Sequence, residues 1–425
     1  MNFFKWFYPG MGVKRWVFLC SLGLSLLVLV ALGAVRNMSH TNLVLSSFLT
    51  AVLIIGVFLV VVAVKNMLRT FVRALMPKEK EEELVDIVYQ SRNDRALERA
   101  PRAVVVGGGT GLSVLLQGLK QFTTNITAVV TVTDTGGSSG RLRDEMDMLP
   151  PGDIRNCLVA LADQEPLMGQ LFQYRFEEGD GLKGHSFGNL FITALSKITG
   201  DFDQAVKESS KVLAIRGRVI PSVLDKVSLV ARFEDGTTAE GETNITKERK
   251  AIRTLELKPE NCQGAEEALA AIDNADIIIL GPGSLYTSIL PNLLVSDIQE
   301  KILESDAYKV YIANVMTQPG ETENFSLSDH VRVLTEHTSP KLIDCCFANN
   351  GIIPELLLKQ YQKQDADAVV LDTEKVFKMG HDVVLGDFVH VDGQIRHNST
   401  SLCEAIFEKY GAIKNNNEKQ FEKIS

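Results

Sequence analysis

The chain has 425 residues, with 44 Lys+Arg against 53 Asp+Glu for a net charge of −9, and a mean hydropathy of +0.06 although 23% of it is charged. Both figures average over unlike parts: residues 1–80 hold nine Lys/Arg and one acid, net +8, which leaves −17 for residues 81–425. So acidic a body offers nucleic acid no net attraction and excludes it as a partner, and six cysteines without a CxxC pair exclude a zinc ribbon or disulfide framework.

The uncharged runs Trp16 to Val35 and Leu43 to Val64 contain 16 and 18 apolar residues. At 1.5 Å per residue each is long enough for the roughly 30 Å hydrocarbon core, so two transmembrane helices are predicted. The joining loop, Arg36 to Asn42, forces a hairpin, whereas a secretory signal has one shorter apolar region. Lys5, Lys14 and Arg15 precede the first span, and Lys65, Arg69, Arg73, Lys78 and Lys80 follow the second. Retention of positive charge in the cytoplasm then places both ends, and the main domain, on the cytoplasmic side of the cell membrane as a two-pass protein. The domain boundaries expected are 1–76 for the hairpin, 77–100 for a charged linker or amphipathic connecting helix, 101–412 for the body, and 413–425 for a flexible tail.

The body opens with a β-branched run, Ala103 to Val106, followed by Gly107, Gly108, Gly109, Thr110 and Gly111, with helical spacing from Leu112. Strand, glycine loop and helix form the first unit of a nucleotide-binding α/β fold, in which N–H groups at a helix start face a phosphate. The spacing is GxGxG with no Walker lysine, so a tight structural turn stays open. A second strand, Ile126 to Asp134, ends in an acid at ribose-binding distance and leads into Gly136, Gly137, Ser138, Ser139 and Gly140. That loop is a candidate anion nest, with Arg141 and Arg143 at its exit. Two such loops after successive strands lie on the same edge of a parallel sheet.

Further on, Asp153, Arg155, Asn156, His185, Ser186 and Asn189 stand at helix starts, where they cap the backbone or meet a ligand. His185 is a candidate acid, base or phosphate contact, and Asp134 and Asp153 are candidate ligands for Mg²⁺. Residues Lys226 to Leu257 read as a β-rich insertion. A third glycine turn, Gly281, Pro282, Gly283 and Ser284, follows the continuous apolar strand Ile277 to Leu280, with Tyr286 and Thr287 just beyond. Lys309 to Val315 and Ala366 to Asp372 are the remaining candidate strands.

In order along the chain, GGGTGLS, TVTDTGGSSGRLR, PPGDIRNCL, HSFGNL, GPGSLYTSILPNLL and NVMTQPGET resemble the CofD-like family, most closely its YvcK branch of gluconeogenesis factors. The resemblance covers about residues 102 to 410. It implies an α/β, Rossmann-like three-layer sandwich with a mostly parallel sheet; the β-rich insertion and the transmembrane hairpin before the body are read from the residues, and the hairpin departs from the family's usual soluble pattern. The resemblance also implies a nucleotide-diphosphate site. The CofD branch implies Mg²⁺-dependent transfer of a phospholactyl group to a deazaflavin. The YvcK branch implies UDP-sugar binding and control of carbon use, cell shape and envelope synthesis.

By motif position, the resemblance gives Gly107 to Gly111, Asp134, Gly136, Gly137, Ser138, Arg141, Asn189, Gly281, Gly283, Ser284 and Tyr286 to the nucleotide. Asp153, Asn156 and His185 are further candidate contacts, and Thr322 is a candidate regulatory position. Catalytic residues stay unassigned. Expected partners are the nucleotide-sugar, membrane lipid, envelope-synthesis proteins and a second copy of the chain.

Overall fold

The computed structural model describes residues 13–37, 43–75, 97–163 and 166–424. It divides into two compact units, Met1–Asn93 and Asp94–Ser425. The expected linker at 77–100 falls largely outside the described residues, but Leu97 is buried in the second unit, which therefore begins a few residues before Pro101.

In the first unit, helices Val13–Asn37 and Leu43–Leu75 pack side by side. Glycines permit the approach: a Cβ on Gly23 would lie 2.7 Å from Val60 Cγ2 and 2.9 Å from the Gly56 carbonyl oxygen, and one on Gly33 would lie 2.7 Å from Leu49 Cδ2. These pairings run in opposite directions along the two helices, so the hairpin is antiparallel. Segments Arg15–Ala34 and Val44–Met67 are long and apolar enough to cross a membrane. Phe18, Val44 and Phe58 are more than 60% exposed, so the apolar surface faces outward, unlike that of a helix inside a soluble core.

The second unit is built on a seven-stranded sheet in which every pairing is parallel. Its strands are β1 (Ala103–Gly107), β2 (Ile126–Val130), β3 (Arg218–Pro221), β7 (Ile277–Leu280), β8 (Tyr308–Ile312), β9 (Cys345–Asn349) and β10 (Asp382–Gly386). They lie in the order β10-β9-β8-β7-β1-β2-β3. The central strands AVVVG, ITAVV and IIIL are buried at every position because helices cover both faces, hence their continuous rather than alternating apolar pattern, broken only at Thr127.

Between β3 and β7 the chain leaves the sheet to form a small antiparallel one from β4 (Ser228–Phe233), β5 (Thr238–Glu240) and β6 (Ile252–Lys258). This is the expected insertion. The alternating burial of β4 shows that it covers the core with one face only. A hairpin of β11 (Val389–Val391) and β12 (Ile395–His397) precedes the last helix.

Two expectations differ from the structure. Ala366 to Asp372 makes only isolated bridges, Met316 to Ala368 and Ser326 to Val370, and the sheet is completed by β9 and β10 instead. Residues 413–424 are not irregular: they continue the helix Ser399–Ile424, since no proline or glycine interrupts the Lys/Asn/Glu run after Gly411.

Candidate functional site

Strand order locates the site. From β1 the chain moves to β2 and β3 on one side, whereas β7 on the other side leads to β8, β9 and β10. The carboxyl ends of β1 and β7 thus flank the switch point of a doubly wound sheet, where connecting loops diverge and leave a crevice.

After β1, Gly108 is extended, Gly109 has φ 68° and the helix Gly109–Leu119 begins with no cap from the preceding residue; the Gly109 N–H donates to the Asp153 carboxylate, which leaves the N–H groups after it to an anion. The glycines are required by close approach. A Cβ on Gly108 would lie 2.7 Å from Asp153 Oδ2 and from Thr131 Cγ2, and one on Gly111 would lie 2.9 Å from the Pro282 carbonyl oxygen. The loops after β1 and β7 therefore touch. Beyond β7, Ser284 caps the turn Leu285–Ile289 by accepting from Thr287 N at 3.0 Å, and its hydroxyl donates to the Glu321 carboxylate.

A cleft of about 560 Å³ opens here. Its floor is Gly108 to Gly111 with Gly283, Ser284, Thr287 and Ser288; the insertion contributes Glu242 and Thr246; the segment after β8 contributes Asn314, Gln318 and Glu321. Tyr361 and the hairpin residues Ile395, Arg396 and His397 form the far wall, where Ile395 N donates to the Tyr361 hydroxyl at 3.1 Å. A larger hollow of about 750 Å³ lies beside the β11–β12 hairpin and adjoins the cleft at Val114, Arg396 and His397, but neither glycine loop lines it.

Carboxylates crowd this edge. Burial and the neighbouring Asp134 push Asp153 up to about 6, against the Gly109 N–H and Arg155, which favour its ionised form. Burial and then Asp134, Asp153 and Glu321 push Glu242 up to about 8. Glu321 is raised by burial despite accepting from Ser284, Thr287 and Thr246. A diphosphate seated on the glycine loop would face these acids, so its binding calls for a cation. Among the described residues no group of three or more His, Cys, Asp or Glu is placed to hold one, so any metal here must complete its shell with ligand oxygens and water.

The sequence-predicted residues divide between two cavities. Gly108, Gly109, Thr110, Gly111, Gly283 and Ser284 line the cleft. Asp134, Gly136, Gly137, Ser138, Asp153, Asn156 and Asn189 line a second cavity of about 220 Å³. Gly107 and Gly281 lie just behind the cleft, the Gly107 carbonyl accepting from Asn292 Nδ2 and Gly281 N donating to the Val106 carbonyl.

The structure draws other residues away. Arg141 donates to the Lys183 carbonyl, and Arg143 to the Val227 carbonyl and Ser228 Oγ, so neither lines the cavity beside the loop. Tyr286 is 1% exposed and packs at 6.4 Å from both Phe325 and His337, making it a core residue; burial raises its phenol. His185 Nδ1 and Ser138 Oγ share a hydrogen bond at 2.9 Å, and burial, then Arg141, lowers the basicity of the imidazole. Thr322 is fully buried and its hydroxyl accepts from Gln318 N, which leaves a modifying enzyme no access without opening that turn.

Sequence reasoning missed Glu242, Glu321, Tyr361 and Arg396. Glu321 sits beside the singled-out Thr322, a usable signal, but the others come from the insertion and from distant helices and hairpins.

Comparison with known proteins follows this geometry. Residues 103–389 match the family described as 2-phospho-L-lactate transferase CofD. The gluconeogenesis factor of Bacillus subtilis is 47% identical over 309 residues, 72% of this chain and 98% of its own. That of Halalkalibacterium halodurans is 49% identical, covering 72% and 95%. A relative from Clostridium acetobutylicum is 41% identical over 96% of this chain and 92% of its own, so the likeness extends into the amino-terminal segment. A crystal structure of a upf0052-family protein from Bacillus halodurans superposes with a TM-score of 0.71 at 48% identity, covering 72% of this chain and 99% of that one.

Proposed function

Because the chain belongs to the CofD family and within it to the gluconeogenesis factors, we propose that it is a membrane-anchored, cytoplasm-facing UDP-sugar-binding regulator. In this reading it couples carbon status to cell shape and envelope synthesis. The observation that carries the ligand class is the helix start at Gly109, set against the Gly283–Ser284 turn at the sheet's switch point. The cleft of about 560 Å³ is in the size range that encloses a small organic ligand. The diphosphate lies over Gly108 to Gly111, and Tyr361 and Arg396 take the base or sugar end. Asp134 and Asp153 would hold Mg²⁺, which would supply the positive charge that the crowded carboxylates call for.

The hairpin holds this body at the cell membrane in two passes, with the basic flank near anionic lipid headgroups. Envelope-synthesis proteins are the proposed downstream partners, and a second copy of the chain is a further one.

The family description favours a second reading, Mg²⁺-dependent transfer from a nucleotide-diphosphate donor. Mass spectrometry of ligand retained through purification separates the two. The regulator retains a UDP-sugar and releases it chemically unchanged after incubation. A protein that consumes a nucleotide-activated phospholactyl donor, with mass gained by an added deazaflavin, would replace the first reading by the second.

A further inference from the structure

Arg155 is oddly placed for a charged side chain. It extends across Gly188, where a Cβ would lie 2.7 Å from Arg155 Cδ, and it is only 9% exposed. One terminal nitrogen donates to Ser186 Oγ and the other to Asn156 Oδ1 at 2.6 Å, while the buried Nε–H has no acceptor. Its nearest charged company includes a second guanidinium, Arg175, which donates to the Gly184 carbonyl and also lines the 220 Å³ cavity. Burial, then Arg175, lowers the basicity of Arg155, against Asp153 and Asp134, which favour its charged form.

The rest of the cavity suits an anion with a hydroxyl. The helix Gly137–Met146 starts at its wall with no side-chain cap. Asn189 is 2% exposed; its Nδ2 donates to Ser138 Oγ at 3.1 Å, but its Oδ1 has no donor. The unmatched groups thus ask for an acceptor at Arg155 and a donor at Asn189, a combination offered by a singly protonated phosphate or a hydroxy acid. Asp134 and Asp153 face the cavity from the cleft side and oppose an anion unless a cation lies between them.

We infer that this cavity is a second subsite, separate from the nucleotide cleft, for a small phosphoryl or carboxylate anion held by Arg155, Arg175 and Asn189. It is filled at the same time as the cleft. The inference rests on the cleft reading above, because a cation serving the nucleotide also neutralises the two aspartates facing the second anion.

The test uses the full chain in detergent with Mg²⁺, titrated calorimetrically with inorganic phosphate and, separately, with UDP-N-acetylglucosamine. Arg175→Ala, at an exposed position, and Arg155→Lys, which keeps the charge but loses Nε, each weaken phosphate about 10-fold or more. Both leave the UDP-sugar dissociation constant within about 2-fold. Gly111→Val has the opposite pattern. Phosphate binding that resists both arginine variants, is displaced by the UDP-sugar, or is missing at about 20 mM phosphate overturns the subsite. Arginine-sensitive phosphate binding without any UDP-sugar binding upholds the subsite and overturns the cleft reading.

Discussion

Gly111 is where the sheet's two halves meet, since the loop after β7 passes directly over it. A side chain there must displace the Pro282 backbone and with it the anion-facing turn. Gly111→Val should therefore lower nucleotide affinity about 10-fold or more while the protein stays folded, as judged by calorimetry and melting together. The two tyrosines separate core from cleft. Tyr286→Ala opens a cavity in the interior and should cost about 3–5 kcal/mol of stability in denaturant titration, whereas Tyr361→Ala should cost about 1 kcal/mol and act chiefly on ligand affinity.

Glu242 adds a pH signature. Its carboxyl ionises near pH 8 in the fold but near its ordinary 4.5 in the unfolded chain. The folded state thus holds a proton that the unfolded state has released, so stability from this group is complete below pH 4.5 and is lost as pH rises through 8. Glu242→Gln should melt at the same temperature as the parent near pH 4 and above it at pH 8.5, in calorimetric scans without ligand. A parent that melts higher than the variant at pH 8.5 contradicts the carboxylate crowding.

Among the elements, those that build the site were the most legible. β1 and β7 announce themselves as unbroken apolar runs followed by glycine, and β2 as a β-branched run leading to the loop at Gly136, because both their faces are covered. The strands β3, β9 and β10 escaped: β3 is four residues ending in Pro221, β9 opens on two cysteines, and β10 follows a short helix with no glycine loop after it. Loop 136–140 reads in the sequence as a candidate anion nest with Arg141 and Arg143 at its exit, but neither arginine lines the cavity beside it. The guanidiniums at that cavity, Arg155 and Arg175, arrive from a helix and a loop whose placement depends on the fold.

The last helix joins a polar end, over the residues expected as a flexible tail, to first turns that are core. Leu402, Cys403 and Ile406 are fully buried, and Phe407 stacks on Phe122 at 5.4 Å. Ser399 abuts Gly118, at the far end of the helix that starts the glycine loop. Ending the chain at 413 should leave the melting temperature unchanged. Ending it at 400 forfeits about 1.5–3 kcal/mol for each large apolar side chain lost and should abolish soluble expression of the body.

At the scale of the whole molecule, the net charge of −9 conceals a basic amino-terminal segment and a body of −17. Composition alone separated the two, and the structure divides the chain at Asn93. The hairpin's outward apolar surface supports the membrane proposal, which cysteine labelling in intact cells can check. A cysteine introduced between residues 38 and 42 should react with an impermeant reagent, and one near residue 98 should react only after lysis; the reverse pattern contradicts the orientation.

The central claim is that the switch-point cleft of this acidic body holds a UDP-sugar through its glycine loops. Isothermal titration of the full chain with UDP-N-acetylglucosamine in Mg²⁺, beside Gly111→Val, tests it most directly. The account predicts one site per chain for the parent and a loss of about 10-fold or more in the variant. No binding to the folded parent at about 1 mM ligand, or equal affinity in parent and variant, would contradict it.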